Sequence, residues 1–282
     1  MKKLSLLVLT LLITLSVVSA NGTKEISSKK LIAVSIMPQL TFAQAIVEDK
    51  MDVEALIGVG SSPENSELTS KQRSKFEKAS IYFAIGVPTE ELTILPFVNK
   101  NTKIIYLNNL VSKEYPELTI GSGRDPHIWL SPKRAIVMVN EMANEISKLD
   151  ENNRDFYMTN AKAYIDKLTQ LDRDIKTELS SLTNREFIVY HPAFGYFSSD
   201  YNLKMDVIEA EGKEATAKSL VALITKAKSK GIKNVFYQAE ISGSQSTVFA
   251  KELGGIAIQL NPLSPDYINN LKTTAKLIKE NI

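Results

Sequence analysis

The chain has 282 residues, with 34 Lys and Arg against 32 Asp and Glu, and 44% of its residues are hydrophobic. This near-neutral balance argues against nucleic acid or an anionic membrane surface as a partner, and the apolar content is ample for a packed core. The chain has no cysteine, so we expect neither disulfides nor a lipid attached to a cysteine.

The first 20 residues have the pattern of a signal peptide. Lys2 and Lys3 precede an apolar run from Leu4 to Val18, and a small-residue cleavage pattern ends at Ala20. The run is shorter than the roughly 20 apolar residues that span a bilayer. We therefore predict an exported, soluble, periplasmic protein that starts near Asn21, with a polar tether over residues 21–30.

Strand-like and helix-like segments alternate over residues 31–150, which predicts an N-terminal α/β lobe with a parallel sheet flanked by helices. The predicted strands are Leu31–Ile36, Val53–Gly58, Ile81–Gly86 and Lys103–Leu107. The predicted helices are Leu40–Glu48, Ser70–Ala79, Thr89–Val98 and residues 132–148.

A long helical pattern follows, with apolar residues three and four positions apart from Ala161 to Leu182. We predict a rigid helix over residues 151–184 that links two lobes. Alternation then resumes over residues 185–282, which predicts a C-terminal α/β lobe. Its predicted strands are Phe187–His191, Met205–Ile208, Val235–Gln238 and Ile256–Leu260, and its predicted helices are Ala193–Asp200, Lys218–Lys230, Ser246–Leu253 and Pro265–Lys279.

The candidate site residues follow the predicted strands, because ligands of open α/β sheets bind at the carboxyl ends of strands. The chain has only two histidines. Those histidines and three further polar residues are expected at the cleft between the lobes: Glu64, His127, His191, Asn261 and Glu240. Two imidazoles and a carboxylate suit Zn, Fe or Mn. On spacing alone, a metal site and ordinary core or surface side chains both remain open.

A carboxylate next to each histidine could orient its ring. Asp125 and Glu186 are the candidates, because each lies close in sequence to a histidine or to the strand that leads to it.

The segment from Asp125 to Pro132 (Asp-Pro-His-Ile-Trp-Leu-Ser-Pro) resembles the signature of metal-binding proteins of zinc/manganese ABC transporters. His191–Phe197 and Glu211–Glu214 are similar to later segments of that family, and the resemblance extends in order over residues 31–282. It implies two α/β lobes joined by one rigid helix, with a metal in the cleft. It also implies that a divalent cation, Zn²⁺ or Mn²⁺, is carried as cargo to a membrane permease. The protein would then be a monomer and not an enzyme.

The resemblance implies that His127 and His191 are metal ligands, and two other positions depart from the family pattern. Glu64 stands where the family usually has its first histidine, or Asn65 does if the loop is shifted by one residue. Asn261 stands in place of the usual aspartate. The alternatives are an exported metalloenzyme, a binder of a chelated metal or small ligand on the same scaffold, and a surface adhesin.

Overall fold

The computed structural model describes residues 29–209, 216–241 and 243–282. The predicted signal peptide and the similarity at Glu211–Glu214 lie outside these residues. No helix among the described residues combines the length and the apolar character needed to cross a membrane.

The N-terminal lobe is built on a four-stranded sheet whose strands are all parallel. Its strands are β1 (Leu31–Val34), β2 (Asp52–Ala55), β3 (Ala79–Ala84) and β4 (Lys103–Tyr106), in the order β2-β1-β3-β4. β3 is buried over nearly its whole length, as its apolar sequence predicts for a central parallel strand. Four helices belong to this half of the chain: α1 (Met37–Val47), α2 (Ser70–Phe76), α3 (Leu107–Val111) and α4 (Pro132–Leu149).

One helix, α5 (Arg154–Glu178), joins the lobes and packs against α1 and α4. Its buried positions repeat every three or four residues, as the sequence predicts. They are Tyr157, Ala161, Tyr164, Leu168, Leu171 and Ile175. The helix is shorter than the predicted link because a 3-10 turn occupies Glu151–Asn153 and the helix ends at Glu178. Its 25 residues still span about 38 Å.

The C-terminal lobe repeats the arrangement with a second parallel sheet. Its strands are β7 (Glu186–Val189), β8 (Lys204–Val207), β9 (Val235–Gln238) and β10 (Ala257–Leu260), in the order β10-β9-β7-β8. Its helices are α6 (Gly195–Asp200), α7 (Ala217–Ser229), α8 (Ser244–Glu252) and α9 (Tyr267–Asn281). The predicted fold class, two α/β lobes joined by a long helix, is confirmed.

Three local features differ from the sequence prediction. The predicted helix Thr89–Val98 is a π-helical turn at Glu90–Ile94 followed by a 3-10 turn at Leu95–Phe97. Pro96 lacks an N–H and interrupts regular helical bonding there. Helix α3 and a two-stranded hairpin, β5 (Thr119–Ile120) with β6 (Gly123–Arg124), were not predicted. Both are too short to produce a recognisable periodicity.

Candidate metal centre

Glu64, His127 and His191 come together where the two lobes meet. One ligand atom from each lies within 4.8 Å of the others, and the two imidazole centroids are 5.3 Å apart. Ligands of a tetrahedral ion at about 2.0–2.1 Å stand about 3.4 Å apart. Small inward movements would therefore bring all three donors onto one ion.

His127 is held by the residue two positions before it. The Asp125 carboxylate accepts the backbone N–H of His127 at 2.9 Å and contacts the ring Nδ1 at 2.8 Å. Since a carboxylate can only accept here, Nδ1 carries the proton and Nε2 is left for an ion. Both residues are almost fully buried, and Trp129 packs on the ring at a centroid distance of 5.1 Å.

His191 follows β7 and lies between two carboxylates. Glu209 Oε2 is 2.9 Å from Nδ1, and Glu64 Oε1 is 2.6 Å from Nε2. Burial lowers the pKa of His191, but hydrogen bonds and charge from Glu209 and Glu64 outweigh it and raise the pKa to about 9. Without metal, the ring carries a proton on the nitrogen that faces Glu64.

Glu64 is the most accessible of the three, with 34% of its side chain exposed against 6% for His191. Burial raises the pKa of the Glu64 carboxyl, but the hydrogen bond and charge of His191, with a contribution from His127, hold it below its usual value. The carboxylate is therefore ionised and available as an anionic ligand.

Among the described contacts, none joins the remaining predicted site residues to the hydrogen bonds of this trio. Asn65 is exposed beside Glu64. Asn261 directly follows β10 and is exposed, and its carbonyl accepts a hydrogen bond from Asn270 Nδ2 at 2.7 Å. Glu240 is half-buried after β9, and burial raises the pKa of its carboxyl. A role for any of these three in binding metal stays a prediction.

The interpretation of Glu186 as a partner for a histidine is wrong. Glu186 starts β7, whereas His191 follows the other end of that strand. Its carboxylate pairs instead with Lys226, at 2.9 Å, and with Lys230. Glu209 takes the expected place, and the strand-end rule points to it, because Glu209 lies two residues beyond the end of β8.

A clamp between the lobes, formed by Asp200, Arg134 and Ser131, fixes the two histidine segments relative to each other. Asp200 ends α6, the helix that follows His191, and it bonds Ser131 Oγ at 2.5 Å and Arg134 Nη1 at 3.2 Å. Ser131 caps the start of α4, just after His127. This clamp is buried, since Arg134 and Asp200 expose 4% and 9% of their side chains.

Two further contacts of α6 connect the C-terminal lobe to Asp125, the carboxylate that orients His127. Tyr196 Oη donates to the carbonyl of Asp125 at 3.2 Å. A Cβ on Gly195 would lie 2.6 Å from Asp125 Oδ2, so only glycine allows Asp125 to approach so closely. The C-terminal lobe thus helps to position the carboxylate that orients His127.

Comparison with known proteins agrees with this architecture. The family model described as "ZnuA: Zinc-uptake complex component A periplasmic" matches residues 32–281. The chain belongs to this family. Two relatives are named as a high-affinity zinc uptake system protein and as a zinc-binding lipoprotein. The family is therefore one of zinc uptake components and not of enzymes, as the sequence predicted.

Individual relatives cover most of the chain. The high-affinity zinc uptake system protein ZnuA of Bacillus subtilis (strain 168) is 32% identical over 264 residues, which are 87% of this chain and 82% of that protein. A crystal structure of ZnuA superposes with a TM-score of 0.84 at 33% identity, covering 90% of this chain and 99% of the other.

The Zn(II)-bound ZnuA-like domain of Streptococcus pneumoniae AdcA gives a TM-score of 0.74 at 28% identity, with 90% and 98% coverage. The chain spans 61% of the length of the zinc-binding lipoprotein AdcA from the R6 strain of that species.

Proposed function

We propose that this protein captures a divalent metal ion, in the first place Zn²⁺, outside the cytoplasm and delivers it as a monomer to the permease of an ABC transporter. The observation that carries the proposal is the convergence of Glu64, His127 and His191 within 4.8 Å. The ion is the transported ligand and not a catalytic cofactor.

The arrangement of protons suits reversible capture. In both His127 and His191 a carboxylate contacts Nδ1, which leaves Nε2 as the nitrogen that can bind a metal ion. In the metal-free protein the Nε2 proton of His191 is shared with Glu64. An arriving divalent cation would displace that proton to solvent and bind the freed nitrogen and the carboxylate oxygen, so that Glu64 balances one of its two positive charges.

Zinc is the first candidate because two imidazoles and one carboxylate form a borderline donor set, for which Zn²⁺ ranks above Mn²⁺ in intrinsic affinity. The B. subtilis and S. pneumoniae relatives are also named for zinc. Manganese is the second candidate. It is favoured by the oxygen donor of Glu64 and by Asn261, an exposed amide at the end of β10 that could supply another oxygen.

Calorimetric titration of the protein from Asn21 onward with Zn²⁺ and with Mn²⁺ tests this function. We expect tight binding of one ion per molecule, stronger for Zn²⁺, and loss of tight binding in His127→Ala and in His191→Ala, because each removes a direct ligand. Elemental analysis of the purified protein should find the same metal.

Glu64→Gln and Glu67→Gln form a matched pair for the third ligand. Both residues lie in one loop and both changes remove one charge, but Glu67 is exposed and outside the cluster. We expect only Glu64→Gln to weaken binding.

Unchanged affinity in either histidine variant would defeat the assignment. Growth of a strain without this gene in zinc-depleted medium, complemented with each variant, tests delivery to the permease.

A further inference from the structure

The loop that carries Glu64 is fastened on both sides of that residue to the turn that follows β3. Thr89 Oγ1 accepts the backbone N–H of Ser66 at 3.1 Å, and the backbone N–H of Thr89 donates to the carbonyl of Pro63 at 3.2 Å. Thr93 Oγ1 also donates to the carbonyl of Ser66 at 3.1 Å. One threonine thus bridges the residue before Glu64 and the second residue after it.

Thr89 is itself immobilised by its neighbour Glu90. Thr89 is fully buried, and Glu90 is 2% exposed. The Glu90 carboxylate accepts the backbone N–H groups of Ile85 and Gly86 at 2.7 and 2.8 Å, and the Ser35 hydroxyl donates to it. Gly86 has a φ of +90°, a conformation that favours glycine, and it reverses the chain here. The turn is therefore a fixed support for the loop.

Glu64 needs such a support more than the histidines do. Each histidine ring is buried and held by a carboxylate at Nδ1. Glu64 lies in a loop between β2 and α2 with no regular structure, and among the described contacts its carboxylate meets only His191, which must exchange this contact for the metal. Its position therefore depends on the backbone of the loop. Ser62 bonds that backbone from within the loop, and Thr89 ties it to the buried turn after β3.

We propose that Thr89 is the positioning residue for the Glu64 carboxylate and thereby sets the metal affinity of the site. The inference rests on the proposed function, in which Glu64 is a ligand. Residues that orient metal ligands typically change metal affinity by about 10- to 100-fold when they are lost. Because Thr89 acts on the backbone of only one ligand, we expect the lower end of that range.

The test is a double-mutant cycle on the full exported chain, measured as Zn²⁺ affinity by calorimetry. Thr89→Val keeps the shape of the side chain but removes the acceptor for Ser66 N–H. We expect about 10-fold weaker binding in the otherwise unchanged protein. In the Glu64→Ala background the same change should have no further effect, because there is no carboxylate left to position.

Thr102→Val is the matched control. Thr102 is also buried in the N-terminal lobe, and its hydroxyl donates to the carbonyl of Ala79 at 2.7 Å, away from the Glu64 loop. We expect it to lower stability without changing Zn²⁺ affinity. Equal losses in Thr89→Val and Thr102→Val would overturn the proposal, as would an undiminished Thr89→Val effect in the Glu64→Ala background.

Thr89→Ser and Thr89→Ala give a second comparison if the valine variant does not fold. Serine keeps the acceptor and should retain affinity, whereas alanine should lose about 10-fold. Equal affinities of these two would also overturn the proposal. If Glu64→Ala itself leaves affinity unchanged, Thr89 has no ligand to position and the proposal fails. The histidine variants then show separately whether the metal function stands.

Discussion

The two histidines and Glu64 reach the same site by different means. His127 and His191 are buried, and each is oriented by a carboxylate of its own, Asp125 or Glu209. Glu64 is partly exposed and is placed through backbone hydrogen bonds of its loop. The two nitrogen ligands are thus buried and preorganised, one in each lobe, while the oxygen ligand is accessible to solvent.

This difference separates two tasks that one site must perform. A preorganised pair of imidazoles gives affinity, because little order has to be created when the ion binds. An accessible carboxylate provides the charge that attracts the ion, and its side chain can rotate while the backbone hydrogen bonds of its loop keep the residue in place. The long helix α5, which packs against α1, α4 and α9, and the clamp at Asp200 favour such a local movement over separation of the lobes.

The largest effect that we predict is a loss of stability when the buried clamp between the two histidine segments is broken. Asp200→Ala leaves the buried Arg134 guanidinium without its carboxylate, and losing one partner of a buried ion pair costs about 3 kcal/mol or more. Urea unfolding should show this decrease in the free energy of unfolding. Asp166→Ala is the control, because Asp166 is 65% exposed and its ion pair among the described residues is with Lys162, one turn away on α5. This change should alter stability little. Similar stabilities of the two variants would mean that the clamp does not hold the lobes together.

The next predicted effect is a pH dependence caused by the proton on His191. Metal affinity should rise with pH, whereas the stability of the metal-free protein should fall. Because the pKa of His191 is about 9, the metal must displace a proton below that pH. Zn²⁺ affinity should therefore fall about 100-fold from pH 7.5 to 5.5, and calorimetry in buffers of different ionisation enthalpy should detect the released proton. An affinity that is constant over this range would contradict ligation by His191.

The stability of the metal-free protein should follow the reverse course. The folded-state pKa of His191 is above the ordinary value of 6.5, so the ion pairs with Glu64 and Glu209 stabilise the fold fully below about pH 6.5 and are lost as the pH rises through about 9. Thermal unfolding between pH 6 and pH 10, without metal, measures this loss. His191→Ala should remove that dependence.

The sequence predicted those parts of the site that follow from topology. His127 and His191 could be assigned to one cleft because both follow predicted strands, and polar residues at the carboxyl ends of parallel strands converge. The eight strands of the two lobes were predicted because their apolar runs are short and bounded by turn residues. Glu209 follows the same rule and could have been found by extending it to β8.

Other features depend on contacts that no local pattern encodes. The bond between Ser66 and Thr89 joins residues 23 positions apart, and it exists only because the β3 turn folds back on the Glu64 loop. In the same region, the prediction of a regular helix over Thr89–Val98 was wrong. The Glu90 carboxylate accepts the amides of Ile85 and Gly86, and Pro96 interrupts the helical hydrogen bonding. Glu186 was misassigned because closeness in sequence to β7 does not say which end of the strand a side chain occupies.

The smallest effect distinguishes the two carboxylates that orient the histidines. Glu209→Gln should weaken Zn²⁺ binding about 10-fold, because the amide orients the His191 ring less strongly than the carboxylate does. Glu252→Gln, an exposed change on α8, is the control and should leave affinity unchanged.

NMR titration adds a readout that a loss of packing would not produce. Since the hydrogen bond to Glu209 is the strongest single contribution that raises the pKa of His191, that pKa should fall in Glu209→Gln and stay high in Asp125→Asn, which acts on His127. A pKa of His191 that is unaffected by Glu209→Gln would show that Glu64 alone holds the proton, and the accessible carboxylate would then also be the main electrostatic partner of the buried ring.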